Sequence, residues 1–175
     1  MKVNWKKPQA AARKVLEEAG IKDAPVSVQE IARHLGADVR FKSVERDISG
    51  FISRQKDGAV VIGINSFHHS HRQRFTLAHE LGHLCLHTSK ALYVDHVPRF
   101  RDVKSSQAIE PEEIEANLFA AELLMPEKLL LRDIRAMADE LVTREAIDKL
   151  AKRYKVSPEA MRVRLERLKG IRLEI

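Results

Sequence analysis

The feature that most constrains this chain is an apolar helical stretch with ionisable side chains in its middle. Residues 74–87, RFTLAHELGHLCLH, place His79, Glu80 and His83 among Leu, Ala and Cys residues. Positions i and i+4 of an α-helix share a face, so the two histidines lie about 6 Å apart along the helix axis. Burying them together with Glu80 and without partners costs several kcal/mol. The stretch therefore predicts a buried helix whose polar groups hold a ligand.

The spacing of these residues matches the pattern H-E-x-x-H, in which two imidazoles bind one tetrahedral zinc ion. Glu80 lies about 100° around the helix from His79, where it can act as a general base toward a water molecule. The alternative is an exposed patch with two histidines, which the apolar surroundings disfavour. We interpret Cys85 as core packing and His87 as a helix C-terminal residue, favoured there by the helix dipole.

A catalytic zinc site takes a third protein ligand, and we expect it from another element. Within a helix predicted over residues 112–125, Glu113 and Asn117 lie one turn apart on the same side. Glu113 can then bind the metal while Asn117 hydrogen-bonds to a ligating imidazole. Glu113 as an ordinary acidic residue of a first helical turn is an equal alternative at this point. The other candidates for the third ligand are Cys85, His87, His96, Glu110, Glu112 and Glu115, of which Glu115 is expected to face solvent or a salt bridge.

The elements around the two motifs predict an α+β fold. Three short segments rich in β-branched or aromatic residues, near 38–43, 50–54 and 59–64, predict a small antiparallel three-stranded sheet packed on helices. Asp57-Gly58 is typical of a two-residue hairpin turn. Ser70 is the expected N-cap of the zinc helix.

The C-terminal part of the chain is basic and helical. Residues 143–175 hold ten of the 31 Lys and Arg residues but five of the 25 Asp and Glu residues, in a chain of net charge +6. We predict a zincin-like domain over residues 1–142 and a helix-turn-helix-like hairpin over 143–175, docked on that domain. Its positive charge indicates a role in partner choice; a solvated helical face and DNA binding are the alternatives.

Composition indicates a cytoplasmic protein. Cys85 is the single cysteine, so no intramolecular disulfide can form, and no apolar run reaches the roughly 20 residues that span a bilayer. The N-terminus is basic and lacks the apolar run of a signal peptide.

The two motifs RFTLAHELGHLCLH and EEIEANLFAAELLMPE together resemble the ImmA/IrrE zinc metallopeptidases, over roughly residues 25–130. The resemblance implies a gluzincin-like site with His79, His83 and Glu113 as zinc ligands. It also implies Glu80 as the catalytic base and Asn117 as a supporting residue. Every motif residue is present, which indicates an active zinc metallo-endopeptidase.

The ImmA/IrrE metallopeptidases are similar to proteases that cleave helix-turn-helix repressors of the Xre/cI type. The resemblance therefore implies a repressor encoded nearby as the substrate, and the release of mobile-element, stress-response or toxin–antitoxin genes. A toxin-like or regulatory binding protein with a structural zinc is an alternative, which Glu80 disfavours because a structural site needs no base. A DNA-binding regulator acting through the C-terminal helices is another. The oxyanion-stabilising residue stays open among His87, His96, Tyr93, Arg99 and Arg101, as does whether strand 59–64 is a free edge for substrate pairing.

Overall fold

A computed structural model describes residues 4–87, 92–96, 111–137 and 142–168, together with Ile171 and Leu173. Its elements in chain order are α1 (Lys7–Glu18), α2 (Val28–His34), β1 (Ala37–Lys42), β2 (Ile48–Arg54), β3 (Val60–Asn65), α3 (Ser70–Leu86), β4 (Leu92–His96), α4 (Pro111–Leu124), α5 (Glu127–Arg135), α6 (Arg144–Tyr154) and α7 (Pro158–Glu166). The predicted α+β class is confirmed. Helix α5 has no counterpart in the sequence-based prediction. None of the described helices combines the length and the apolar character needed to cross a membrane.

The sheet is larger than predicted and mixed in direction. Its strand order is β1-β3-β2-β4, with β1 parallel to β3 and the other neighbours antiparallel. The prediction of three antiparallel strands was wrong in both respects. Strands β2 and β3 form an antiparallel hairpin, and β1 pairs in parallel with the outer edge of β3. Strand β4 arrives after α3 and takes the free edge of β2.

The hairpin between β2 and β3 closes over three residues, one more than predicted. Gln55 donates its backbone N–H to the carbonyl of Ala59 at 2.8 Å, and Gly58 donates to the carbonyl of Gln55 at 3.1 Å. Gly58 has a φ of +87°, a left-handed conformation that glycine adopts without a steric cost. The turn thus comprises Lys56, Asp57 and Gly58.

One face of the sheet packs on α3 and supplies much of the core. Ile52 and Ile62 are directly paired across β2 and β3, and both are fully buried. They share the hydrophobic core with Leu77 and Leu81 of α3. Burying each such side chain contributes about 1.5–3 kcal/mol. This packing holds the H-E-x-x-H helix rigidly against the sheet.

Helices α3 and α4 approach each other closely at Gly82. A Cβ atom added to Gly82 would lie 3.0 Å from Cα and 3.1 Å from the carbonyl oxygen of Ala116. Such distances are tighter than ordinary van der Waals contact, so the two backbones meet here because residue 82 has no side chain. The contact brings the first turn of α4 beside the histidines of α3.

The α6–α7 segment packs against the rest of the molecule. Arg164 of α7 is 5% exposed, forms an ion pair with the buried Glu122 of α4 and donates to the carbonyl of Met125 at 3.1 Å. Arg74 of α3 donates to the carbonyl of Lys155 at 3.2 Å. Arg164 therefore does not belong to the basic surface predicted for residues 143–175. The boundary predicted at residue 142 stays a prediction.

Candidate metal and catalytic site

Three side chains from α3 and α4 converge on one point. Nε2 of His79 lies 3.0 Å from Nε2 of His83, and the two carboxylate oxygens of Glu113 lie 3.2 Å and 3.3 Å from these two nitrogens. Both histidines are buried, whereas the Glu113 side chain is 36% exposed. Among the described residues, this is the one group of three His, Cys, Asp or Glu side chains with all ligand atoms within 4.8 Å of one another.

The arrangement fits a tetrahedral zinc ion. Bonds of about 2.0–2.1 Å to nitrogen and oxygen place the ligand atoms of a tetrahedral site roughly 3.3 Å apart. The observed separations of 3.0, 3.2 and 3.3 Å lie close to that value. Three ligands leave the fourth position for a water molecule or a substrate, as catalytic zinc sites require.

Asn117 sets the tautomer of the first histidine. Its Oδ1 lies 3.0 Å from Nδ1 of His79. An amide oxygen can only accept, so Nδ1 carries the proton and the lone pair of Nε2 is directed at the candidate metal position. Asn117 lies one turn beyond Glu113 on α4, as the sequence predicts.

The second histidine is held by His87 and Glu115, which the sequence offered as candidate third ligands and which lie outside the cluster of ligand atoms. Nδ1 of His83 lies 3.1 Å from Nδ1 of His87, and Nε2 of His87 lies 3.1 Å from Oε2 of Glu115. His87 is the C-cap of α3, as predicted, but its side chain is buried. Glu115 was expected to face solvent or a salt bridge; it is buried, and its carboxylate contacts the His87 imidazole. The spacing H-x-x-x-H from His83 to His87 is the signal that could have identified the contact.

Burial and the neighbouring imidazoles shift the pKa of the Glu113 carboxylate in opposite directions. Burial alone would raise the pKa of Glu113, but its contacts with the imidazoles of His79 and His83 outweigh burial and hold that pKa well below its usual range. Burial lowers the pKa of His83, which favours the neutral imidazole. An ionised carboxylate and neutral imidazoles are the forms that bind a metal ion.

Most of the chain matches the model of a known protein family. The model of a peptidase family, described as the IrrE N-terminal-like domain, matches residues 32–166. The chain belongs to this family. The matched region contains both motifs and extends through α7.

The chain is similar to three relatives, and each match covers only part of the relative's length. It is 37% identical over 107 residues to the radiation response metalloprotease IrrE of Deinococcus radiodurans, which is 58% of this chain and 31% of that protein. It is 38% identical over 113 residues to the protein of the same name from Deinococcus deserti, 59% of this chain and 36% of that protein. It is 31% identical over 98 residues to the uncharacterized immunity region protein 2 of Bacillus phage phi105, 56% of this chain and 58% of that protein. The chain thus spans about a third of the IrrE proteins and somewhat over half of the phage protein.

A solved structure resembles the fold over nearly the whole chain. The Mycobacterium tuberculosis transcriptional regulator superposes with a TM-score of 0.63 at 18% identity. The match covers 94% of this chain and 47% of that chain. At this identity the resemblance shows the fold alone.

In this member of the family, Glu80 follows His79 on α3 and is fully buried. Tyr93 of β4 stacks on the imidazole of His83, with ring centroids 4.4 Å apart. Of the oxyanion candidates, His87 uses both ring nitrogens in the contacts described above, and Arg99 and Arg101 lie outside the described residues. Glu110 and the side chain of His96 also lie outside them. Strand β3 is an inner strand, so it offers no free edge to a substrate.

An open cavity of about 660 Å³ adjoins the site. His79, Glu113 and Asn117 line one side of it. Phe75 of α3 contributes to the lining, and Val156 and Ala160 bring the α6–α7 segment to its edge. The cavity is large enough for several side chains of a peptide.

Proposed function

We propose that the chain is a zinc-dependent endopeptidase with His79, His83 and Glu113 as its metal ligands. The observation that supports this most is the convergence of three ligand atoms at 3.0–3.3 Å. A second support is that Asn117 directs the lone pair of His79 at the same point. Glu80, buried in the turn that carries both histidines, completes the chemistry expected of an H-E-x-x-H site.

Each residue has a defined role in this proposal. When bound, the zinc ion acts as a Lewis acid that polarises the scissile carbonyl and acidifies water. Glu80 accepts a proton from the attacking water while the water oxygen forms a bond to the carbonyl carbon. Glu80 then passes that proton to the amide nitrogen as the carbon–nitrogen bond breaks. Asn117 keeps His79 in the tautomer that binds metal.

The substrate proposed is a protein segment, most specifically one in a helix-turn-helix repressor of the Xre/cI type encoded nearby. The open cavity beside Glu113 offers room for a peptide, and one relative is named a phage immunity region protein. Cleavage would relieve repression of a mobile-element, stress-response or toxin–antitoxin gene set. We propose the cytoplasm as its location, where such a repressor acts.

No contact in the described part of the α6–α7 segment specifically supports a role in DNA binding. Arg162, on the exposed side of α7, pairs with Glu159 at 2.7 Å and with Glu166. Arg153 pairs with Asp133 at 2.7 Å. Arginines that already have carboxylate partners give up those pairs to bind phosphates, so DNA binding is a weaker hypothesis than proteolysis.

Replacing Glu80 with Gln tests the proteolytic function. The amide is nearly isosteric, so folding and zinc content should match wild type, while cleavage of the neighbouring repressor should fall by about 10²- to 10⁴-fold because the base is gone. Zinc content and cleavage are measured on the same preparation, with Glu112→Gln as a matched control that should cleave normally. Cleavage at the wild-type rate by Glu80→Gln would show that the mechanism is wrong. A wild-type cellular effect of this variant without cleavage would favour the binding-protein alternative.

A further inference from the structure

We propose that His87 and Glu115 form a positioning relay that fixes the imidazole of His83 in its metal-binding tautomer and orientation. The proposal rests on the metal centre of the proposed function and extends it by two residues. Neither residue reaches the candidate metal position itself. They act through His83, over two contacts of 3.1 Å each.

The contacts run from His83 to His87 and from His87 to Glu115, and the carboxylate of Glu115 decides which atom donates in each hydrogen bond. The ionised Glu115 carboxylate can only accept, so Nε2 of His87 donates to it. In a neutral imidazole the other nitrogen is an acceptor, so Nδ1 of His87 accepts from Nδ1 of His83. Nε2 of His83 is then left with its lone pair, directed at Nε2 of His79 and Glu113. Protein side chains therefore set the tautomers of both ligating histidines before any metal binds.

The relay is itself held in place from strands β2 and β4 and from the segment before α1. Arg54 of β2 donates to the backbone carbonyls of His83 and His87 at 2.9 Å and 2.8 Å, which fixes the last turn of α3. The backbone N–H of Asn4 donates to the other carboxylate oxygen of Glu115 at 2.9 Å. Stacking of Tyr93 on His83 limits rotation of that ring. Side chains restrained in this way keep one geometry, which is what a supporting residue of a metal site must do.

The two histidines are supported unequally. His79 is supported by the neutral amide of Asn117, which is exposed. His83 is supported by a buried chain that ends in a carboxylate, and a carboxylate raises the basicity of the ligating nitrogen more than an amide does. The relay should therefore contribute more to metal affinity than Asn117.

The test is the zinc dissociation constant of the full chain, measured by competition with a chromophoric chelator. His87→Phe fills the same space without ring nitrogens and should bind zinc about 10- to 100-fold more weakly. His87→Asn keeps an acceptor near the position of Nδ1 and should recover most of that loss, with Glu115→Gln between them. Asn117→Ala should lose less than His87→Phe. The Co²⁺-substituted proteins should show a displaced visible absorption band in His87→Phe, because the His83 ring is no longer oriented.

Tyr154→Phe is the matched control for loss of one partly buried hydrogen bond. The Tyr154 hydroxyl donates to Asp133 at 2.8 Å, between α6 and α5, and the variant should bind zinc as wild type does. A folded His87→Phe with wild-type zinc affinity would overturn the relay. Equal losses in Tyr154→Phe and His87→Phe would do the same, by showing a general effect of stability. If His87→Phe does not fold, wild-type zinc affinity in Glu115→Gln overturns the proposal. Zinc retention by Glu113→Ala would instead reject the metal centre, a distinct result.

Discussion

At the scale of single residues, the candidate site depends on which atoms of its buried histidines already contact other protein side chains. His79 and His83 each use Nδ1 in a contact with protein, at 3.0 Å and 3.1 Å, so that both Nε2 atoms face the same point. Two lone pairs only 3.0 Å apart repel each other unless a cation lies between them. The local arrangement is therefore suited to a bound metal ion.

Glu113→Ala should reduce zinc binding strongly and abolish zinc-dependent stabilisation. A ligand present at 100 times its dissociation constant stabilises the folded state by about 2.7 kcal/mol. In a protein of this size that corresponds to a rise in Tm of roughly 5–10 °C. Thermal unfolding with and without zinc measures the effect, and Glu112→Ala, the adjacent carboxylate outside the cluster, should respond as wild type does. Full zinc occupancy in Glu113→Ala would place the third ligand elsewhere.

Cys85 should be a poor nucleophile in the folded protein. Burial, with a smaller contribution from the charge of Glu18, raises the pKa of its thiol to about 11. At pH 8 nearly all of it is the unreactive thiol, and the thiolate fraction rises only as the pH approaches 11. A disulfide reagent at pH 8 should therefore react far more slowly with the native protein than with the protein in denaturant. Equal rates would show that the thiol is accessible.

At the scale of elements, the site forms where α3 and α4 meet. Neither helix carries all the ligands, so their separation decides whether Glu113 reaches the two histidines. Gly82 lies on α3 between His79 and the helix end, and its missing side chain allows the backbone of α4 to approach at Ala116. A glycine inside a helix costs about 1 kcal/mol relative to alanine, and here that cost is offset by the close contact.

Gly82→Ala should destabilise the protein although alanine is the better helix former. The added Cβ would meet backbone atoms at 3.0 Å and 3.1 Å, and such overpacking costs about 1–3 kcal/mol. Because α4 must shift, zinc affinity should fall as well. Denaturant unfolding and chelator competition measure the two effects.

A second substitution sharpens this test. Adding Ala116→Gly removes the Ala116 Cβ, which lies 3.3 Å from the added atom, and leaves both closer backbone contacts. It should therefore recover little of the stability lost in Gly82→Ala. A Gly82→Ala protein more stable than wild type would show that the two helices can separate freely.

At the scale of the whole molecule, the α6–α7 segment is fixed to the core by buried charge as well as by apolar contact. Arg164 and Glu122 are 5% and 1% exposed, and Glu122 also accepts from Arg13 of α1 at 2.9 Å. Leu150, Met161 and other apolar residues of the segment belong to the same core cluster as α3 and α4. The segment therefore supports one wall of the cavity beside the candidate site.

Arg164→Ala should destabilise the fold strongly, whereas Arg162→Ala should not change it measurably. Removing Arg164 leaves the buried Glu122 carboxylate poorly compensated, which costs about 3 kcal/mol. Arg162 forms its ion pairs on the surface, where water and salt screen them. Urea unfolding of both variants checks the contrast. Equal stability of the two variants would mean that Arg164 does not anchor the segment.

The sequence by itself determined which ionisable side chains share a helix face and where most of the helices lie. The i, i+4 spacing placed His79 and His83 on one face, the one-turn spacing placed Glu113 beside Asn117, and local periodicity located α3, α4, α6 and α7. These inferences succeed because helix geometry depends on neighbours in the chain. The family resemblance added the choice of Glu113 over other carboxylates.

Only the tertiary structure decided how distant segments pair. Strand β4 and the parallel pairing of β1 with β3 depend on which sheet edges are left free once the β2–β3 hairpin has formed. The contact of His87 with Glu115 depends on α4 packing against α3, and the burial of Arg164 depends on its contacts with Glu122 and Met125 at the end of α4. Local periodicity carries no information on such contacts, because residues far apart in sequence meet only when the helices and strands pack around a common core.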